Sequence, residues 1–146
     1  MPRMADSAIG NTLPDVGGAY ALLIRLRDPA PLPDRFGGAL QPGLYCYLGS
    51  AYGPGGIRAR CRRHLTRDKA TRWHVDWLTA EATAIEAVAR PGLAECALVG
   101  AVLEIPGVTA PVAGFGSSDC RTCPAHLLAV PPELDMAHLR QALGDA

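Results

Sequence analysis

Two glycine-bounded apolar runs, Gly18 to Leu26 and Gly43 to Gly49, constrain this chain most, because both read as β-strands and the second leads into a basic helix. Successive strand side chains point to opposite faces. Tyr45 and Tyr47 therefore share one face, and Leu44, Cys46 and Leu48 take the other. The helix starts at Gly55 or Gly56 and fades near Thr66, with Arg60 and His64 at i and i+4 on one side of it. One face of this unit can pack. The other can set tyrosines against an arginine and a histidine one turn apart, a combination able to act on a phosphate.

The rest of the chain supplies the partners of that hairpin. Thr71 is placed to cap a second helix from Arg72 to Leu78, and Thr83 to Val88 reads as a third strand. Leu93 to Leu103 reads as an apolar helix, Pro106 to Gly116 as irregular, His126 to Val130 as a short strand, and Pro132 to Leu143 as a terminal helix opened by prolines. The fold class is α/β in the α+β sense: a small antiparallel sheet flanked by helices. A chain of 146 residues fits one domain, and folding at that size buries about 68 to 70% of the unfolded chain's surface. Residues 1–16 read as a loose tail, 17–130 as the domain, and 131–146 as a C-terminal helix packed on it.

Aromatic residues make up 5% of the chain, so Ala, Leu and Val must fill the core and the few tyrosines and tryptophans stand out for special roles. No run of 18 apolar residues exists, and residues 1–11 lack the apolar stretch of a signal peptide. The expectation is a cytoplasmic protein with no membrane partner. Cysteines stand at 46, 61, 96, 120 and 123. An odd number argues against a disulfide framework, and Cys46 and Cys61 fall where a strand and a helix should bury them. The formal net charge of zero hides an asymmetry: Arg58, Arg60, Arg62, Arg63, Arg67, Lys69 and Arg72 are half of the 14 Lys and Arg residues, opposed locally by Asp68 alone. Such a run is either a solvated helix face or a field that attracts a polyanion, whose phosphates release counterions when neutralised.

Together these residues resemble the GIY-YIG endonuclease superfamily. Gly18-Ala19-Tyr20 matches its first signature and Tyr47-Leu48-Gly49 its second, and Gly49-Ser50-Ala51 and Arg60-x-x-x-His64 follow its pattern. Gly53-Pro54-Gly55-Gly56, Trp73-His74-Val75-Asp76, Glu95-Cys96 and the segment from Gly114 to Cys120 resemble one branch of it, the DUF123 domains, sometimes fused to endonuclease III-like glycosylases. The resemblance covers residues 17–130. The chain departs from the pattern twice. A Pro- and Gly-rich segment, Asp28 to Pro42, enlarges the hairpin loop, and an insertion around Tyr52-Gly53-Pro54 makes Arg58 a competitor of Arg60 for the arginine position.

The resemblance implies a GIY-YIG-like fold and a metal-dependent endonuclease that hydrolyses phosphodiester bonds of DNA or structured nucleic acid, with a DNA-repair protein as a further partner. It implies catalytic roles for Tyr20, Tyr47, Arg60, His64 and His74, nucleic-acid contacts from Arg58, Arg62, Arg63, Arg67, Lys69 and Arg72, and one Mg2+ or Mn2+ ion held by Glu95. Glu81, Glu86 and Glu104 rank behind Glu95. Tyr20, Tyr47, Arg60 and Glu95 should then line one concave surface. The chemistry is coherent: a hard ion takes carboxylate oxygen, and a guanidinium fork matches phosphate. A phenol of ordinary pKa near 10 needs a cation or metal beside it to act as a base at neutral pH. Each residue also has a plainer role as strand aromatic, surface arginine, helix-end cation or first-turn glutamate complementing a helix dipole. Trp73 and Trp77, four apart, read as packing residues. The alternative from another class is a catalytically silent nucleic-acid-binding or adaptor module of the same fold.

The segment Cys120-Arg121-Thr122-Cys123-Pro124-Ala125-His126 spaces two cysteines and a histidine three apart. It could give three zinc ligands, with Cys96 as the fourth, and so a zinc-stabilised structural domain. A single CxxC also fits a stabilising thiol role or redox chemistry, and the spacing leaves these open. The loop from Gly114 to Asp119 could present amides and hydroxyls to phosphate, or simply close over the sheet edge.

Overall fold

The computed structural model describes residues 13–32, 36–65, 76–79, 81–112, 114–115 and 125–144, without the side chains of Asp76 and Trp77. Its centre is β1 (Gly18–Leu26), paired antiparallel with β4 (Gly43–Ala51) on one side and β5 (Ala84–Pro91) on the other. A short strand, β6 (Leu127–Val130), pairs antiparallel with the outer side of β4, giving the order β5-β1-β4-β6. Every residue of β1 except Arg25 is buried. That follows from helices covering both sheet faces, which favours a continuous apolar run over alternation.

Helices α1 (Gly56–Leu65) and α2 (Asp76–Thr79) join the first core, where Ile57, Cys61 and Leu78 meet Tyr20, Leu22, Ile24 and Tyr47. Helices α3 (Glu95–Leu103) and α4 (Met136–Ala142) join the second, where Leu98, Val102 and Leu139 meet Ala19, Ala21, Leu23, Cys46 and Leu48. The sheet is therefore the middle layer of three. Gly18 pairs with both Ala51 and Pro91, so the start of β1 and the ends of β4 and β5 lie at one end of the sheet. Both α1 and α3 start from that end, on opposite faces. Their approaches are tied together, since Tyr52 Oη donates to the Leu93 carbonyl at 2.7 Å and the Gly92 amide donates to Gly17 at 3.0 Å.

Residues 13–16 are not the end of a loose tail. The first amides of a helix have no partner within it. Here the Ile57 amide donates to the Val16 carbonyl and the Arg58 amide to Pro14, both at 2.9 Å, while Leu13 is buried in the first core. Element limits also shift for physical reasons. β4 continues past Gly49 because Ser50 and Ala51 pair with Ala19 and Gly18. β5 reaches Pro91, which a strand at the sheet edge tolerates. The terminal helix starts at Met136 rather than Pro132, because Asp135 caps it: its Oδ1 accepts the His138 amide at 2.8 Å.

Within the insertion between β1 and β4, β2 (Ala30–Pro31) and β3 (Ala39–Leu40) form a two-stranded antiparallel sheet. Phe36 packs on Phe115 with ring centroids 5.6 Å apart, and Leu32, Leu40 and Tyr45 line a groove beside it. Tyr45 pairs with Ile24, well away from the Gly18 end, so the insertion packs at the far end of the first face. Among the described residues no helix is long and apolar enough to cross a membrane.

Candidate functional site

The register of β1 against β4 sets Tyr20 opposite Gly49 and Leu22 opposite Tyr47. Tyr20, Tyr47 and Gly49 thus project to the same face on adjacent strands, and the side-chain-free position gives the Tyr20 ring its seat. A Cβ at Gly49 would lie 2.5 Å from Tyr20 Cζ and 3.0 Å from Cε1. Gly18 serves a related need, since a Cβ there would meet the backbone of Arg90, Pro91 and Gly92 at 2.6 to 2.7 Å. The glycines of the two strand signatures are thus packing requirements of one sheet end.

Helix α1 lays Ile57, Cys61, His64 and Leu65 onto this face, the i, i+4, i+7, i+8 stripe of an amphipathic helix. A histidine sits in that apolar stripe because it has a partner: Tyr20 Oη lies 2.6 Å from His64 Nε2. The rings of Tyr20 and His64 stand 5.4 Å apart and those of Tyr47 and His64 5.9 Å apart, the second pair edge to face. Tyr20 and His64 are each 1% exposed and Tyr47 is 9% exposed.

Arg60, one turn before His64, is hydrogen-bonded to the Tyr20 phenol. Burial drives the Tyr20 pKa well above its ordinary value of 10.0, the neighbouring Tyr47 and Cys61 add to that, and the Arg60 charge and hydrogen bond oppose it without prevailing. Tyr20 is accordingly a neutral phenol at physiological pH. The direction of the 2.6 Å hydrogen bond between Tyr20 Oη and His64 Nε2 follows from which imidazole tautomer is present. The cation that a phenolate base requires is in place, but desolvation wins.

The structure brings together Tyr20, Tyr47, Arg60 and His64. Arg58 is engaged elsewhere: its Nε donates to the Leu13 carbonyl at 2.6 Å, which pins the segment before β1 to α1. Arg62 and Arg63 lie in the last turn of α1, where positive charge complements the helix dipole. Glu95 is not brought to the one surface expected for it with Tyr20, Tyr47 and Arg60: it occupies the first turn of α3, whose Leu98, Val99 and Val102 dock on the sheet face opposite α1. It shares with α1 the end of the sheet from which both helices start. Among the described residues no group of three or more His, Cys, Asp or Glu side chains is arranged to hold a metal ion. His74, Arg67, Lys69, Arg72, Cys120 and Cys123 lie outside the described residues.

Two features escape sequence reasoning. Tyr52 ties the approach of α1 to that of α3, and no pattern in its neighbours signals this. The opposition of Gly49 and Tyr20 is partly within reach, because Tyr47 and Gly49 are two apart and must share a face; the missing quantity is the strand register.

Cys46 and Cys61 are buried as expected, and burial pushes both thiols up to about 12 from 9.0. The unfolded chain releases these protons at lower pH than the native protein does, so it binds fewer protons between those values and stability falls as pH rises. These thiols contribute fully below pH 9, and their contribution is lost progressively toward pH 12, with Tyr20 adding loss of the same sign above 10. Urea titrations from pH 7 to 11 should show a steady fall of the unfolding midpoint above about pH 9. Replacing both cysteines by alanine should flatten that fall while lowering the midpoint at pH 7.

A family model described as "Domain of unknown function DUF123" matches residues 19–145. No curated protein and no solved structure matches the chain.

Proposed function

We propose that this chain, which belongs to the DUF123 family, is a GIY-YIG-like metal-dependent endonuclease that hydrolyses phosphodiester bonds of DNA or structured nucleic acid. The observation that carries the reading is the buried hydrogen bond between Tyr20 and His64, with Arg60 on the same phenol. An arginine–phenol–imidazole array on a basic helix suits proton management beside a phosphate. Perturbed, coupled polar groups of this kind mark functional sites.

In this reading Arg60 meets the phosphate with its guanidinium and stabilises charge that develops as the bond breaks. Tyr20 holds a proton on Oη and passes it to or from His64 Nε2. Tyr47, the more exposed of the two phenols, orients water or a phosphate oxygen. Glu95 is the oxygen donor for a divalent ion. One carboxylate fits magnesium, which commonly keeps several waters and binds through one or two carboxylates plus phosphate. When bound, such an ion supplies positive charge for the phosphate oxygens. The assignment of Glu95 to this site rests on the family resemblance, since α3 packs on the layer opposite α1 and the two helices share only the end of the sheet from which they start.

A second reading has its own support. Tyr20 and His64 are almost wholly buried, and α3 packs on the layer opposite α1. Those facts favour a silent module that binds nucleic acid through its arginines, alongside a repair protein, and uses the Tyr20–His64 pair as a structural pin. Nicking of supercoiled plasmid and of branched DNA by purified protein, with magnesium or manganese and then with chelator, separates the two. Metal-dependent product supports the nuclease; binding with no product under either metal supports the module.

Both readings expect phosphate contacts, so log affinity for DNA should fall linearly with log salt. Reversing Arg62 and Arg63 to glutamate should weaken binding and lower the slope by about 0.9 for each phosphate no longer neutralised. A salt-independent interaction, or no binding at low salt to duplex, single-stranded or branched DNA, contradicts both.

A further inference from the structure

Tyr52 is 63% exposed, the most open of the large hydrophobic side chains among the described residues, and the phosphate chemistry gives it no task. It stands in the turn between β4 and α1. A tyrosine on the surface ordinarily turns freely with its hydroxyl in water. Here both ends of the ring are fixed: Oη donates to the Leu93 carbonyl at 2.7 Å, and one edge rests on Gly17, where a Cβ would fall 2.8 Å from Cδ1 and 3.3 Å from Cε1. Gly17 is held in turn, since its carbonyl accepts the Gly92 amide at 3.0 Å. The ground beside the ring is bare: a Cβ at Gly53 or at Gly92 would have nothing within 4 Å. Ordering a side chain costs conformational entropy, and folding has already ordered this one, so a flat ligand that stacks on it meets less of that cost.

We propose that the Tyr52 ring is the stacking platform for one unpaired nucleobase of the bound strand. Helix α1 begins four residues later and carries Arg58, Arg60, Arg62 and Arg63 with no acidic residue. A rigid aromatic plane beside a run of positive charge is the pairing that single-stranded nucleic acid fits, because every base has a face to stack and every phosphate a charge to attract. The base must lie outside a duplex, where neighbouring bases would cover its faces. The platform therefore selects an end, gap or branch over continuous duplex. Gly49, on which the Tyr20 ring sits, is three residues from Tyr52, and three residues span at most roughly 11 Å. The stacked base then belongs to a nucleotide near the phosphate assigned to Arg60. This inference rests on the nucleic-acid binding that both readings above share, and not on cleavage.

The test uses the full chain and two DNA probes of one sequence, a gapped duplex and a continuous duplex, titrated in chelator so that no cleavage intervenes. Tyr52→Ala should weaken binding to the gapped probe by roughly fivefold to a hundredfold, the scale of one base–aromatic stack, and binding to the continuous duplex by less than about twofold. The slope of log affinity against log salt should stay that of the parent, because no phosphate contact is removed. Tyr52→Phe loses the bond to Leu93 and keeps the ring, so it should melt lower than the parent, as Tyr52→Ala does, yet bind the gapped probe within about threefold of it. With 2-aminopurine placed in turn at each unpaired position, the unaltered protein should quench its fluorescence at one of them. Equal affinity of Tyr52→Ala and the parent for the gapped probe overturns the platform and leaves the nucleic-acid reading standing; so does equal loss in both variants, which reduces Tyr52 to a structural tie, and so does equal loss on both probes. If Tyr52→Ala fails to fold, the quenching decides: none at any position overturns the platform. An unaltered protein that binds neither probe at low salt overturns the nucleic-acid reading itself, and the platform with it.

Discussion

Replacing Arg60 by alanine should slow single-turnover cleavage of a nicked or branched DNA by roughly a hundredfold or more, the scale on which loss of one transition-state charge stabiliser is felt. Two effects add in that variant. The phosphate loses a guanidinium, and the Tyr20 phenol loses the hydrogen bond and the charge that oppose its desolvation. In the proposed reading DNA affinity should change little, since attraction is assigned to other basic residues, Arg62 and Arg63 among them. Arg58→Ala is the comparison. Its guanidinium is committed to the Leu13 carbonyl, so it should lower stability and leave the rate constant of the folded protein near the parent value. Equal cleavage by Arg60→Ala and the parent removes Arg60 from the chemistry; equal loss in both variants moves the effect from chemistry to folding.

Gly49→Ala should be among the most destabilising single-methyl additions in the chain. The new Cβ falls on the Tyr20 ring, which cannot swing aside, because it is buried between β4 and α1 and bonded to His64. Gly49 itself sits in a strand fixed by its pairing with β1. Overpacking of a well-filled core costs about 1 to 3 kcal/mol, and at this chain length that lowers the melting temperature by several degrees. Urea unfolding measures it directly. A double-mutant cycle with Tyr20→Leu locates the cause, since a shorter side chain at 20 should recover part of the penalty at 49. A Gly49→Ala protein as stable as the parent contradicts the seating of Tyr20 on Gly49.

Much of this architecture is legible in the sequence because local patterns set it. Gly18 to Leu26 is a strand because its apolar run is bounded by glycine and followed by a turn-rich segment, and the Ile57, Cys61, Leu65 spacing announces one packed helix face. What the sequence does not carry is long-range placement. Period-two alternation sets Tyr47 and Gly49 on one face, but the pairing of Gly49 with Tyr20 depends on the register across a 16-residue connection, Arg27 to Pro42. His64 looks like a helix-end cation until Tyr20 is seen beneath it. Glu95 looks like a site residue from its neighbours in the chain, yet the layer on which α3 packs is decided by Leu98, Val99 and Val102 docking on the second face. Residues 13–16 lack periodicity and so read as tail, although their carbonyls cap α1; caps made by backbone groups leave no side-chain signature.

The central claim is that the end of the sheet where α1 and α3 begin is a reactive centre and not only a binding surface. Glu95→Gln tests it most directly, because the substitution keeps the shape of the side chain and removes the charge that holds a hard cation. Single-turnover cleavage with magnesium and with manganese, beside a binding titration of the same preparations, should show cleavage abolished in the variant and DNA affinity nearly unchanged. Cleavage by Glu95→Gln at the rate of the unaltered protein contradicts the metal assignment, and an unaltered protein that binds DNA but cleaves no substrate under either metal contradicts the nuclease.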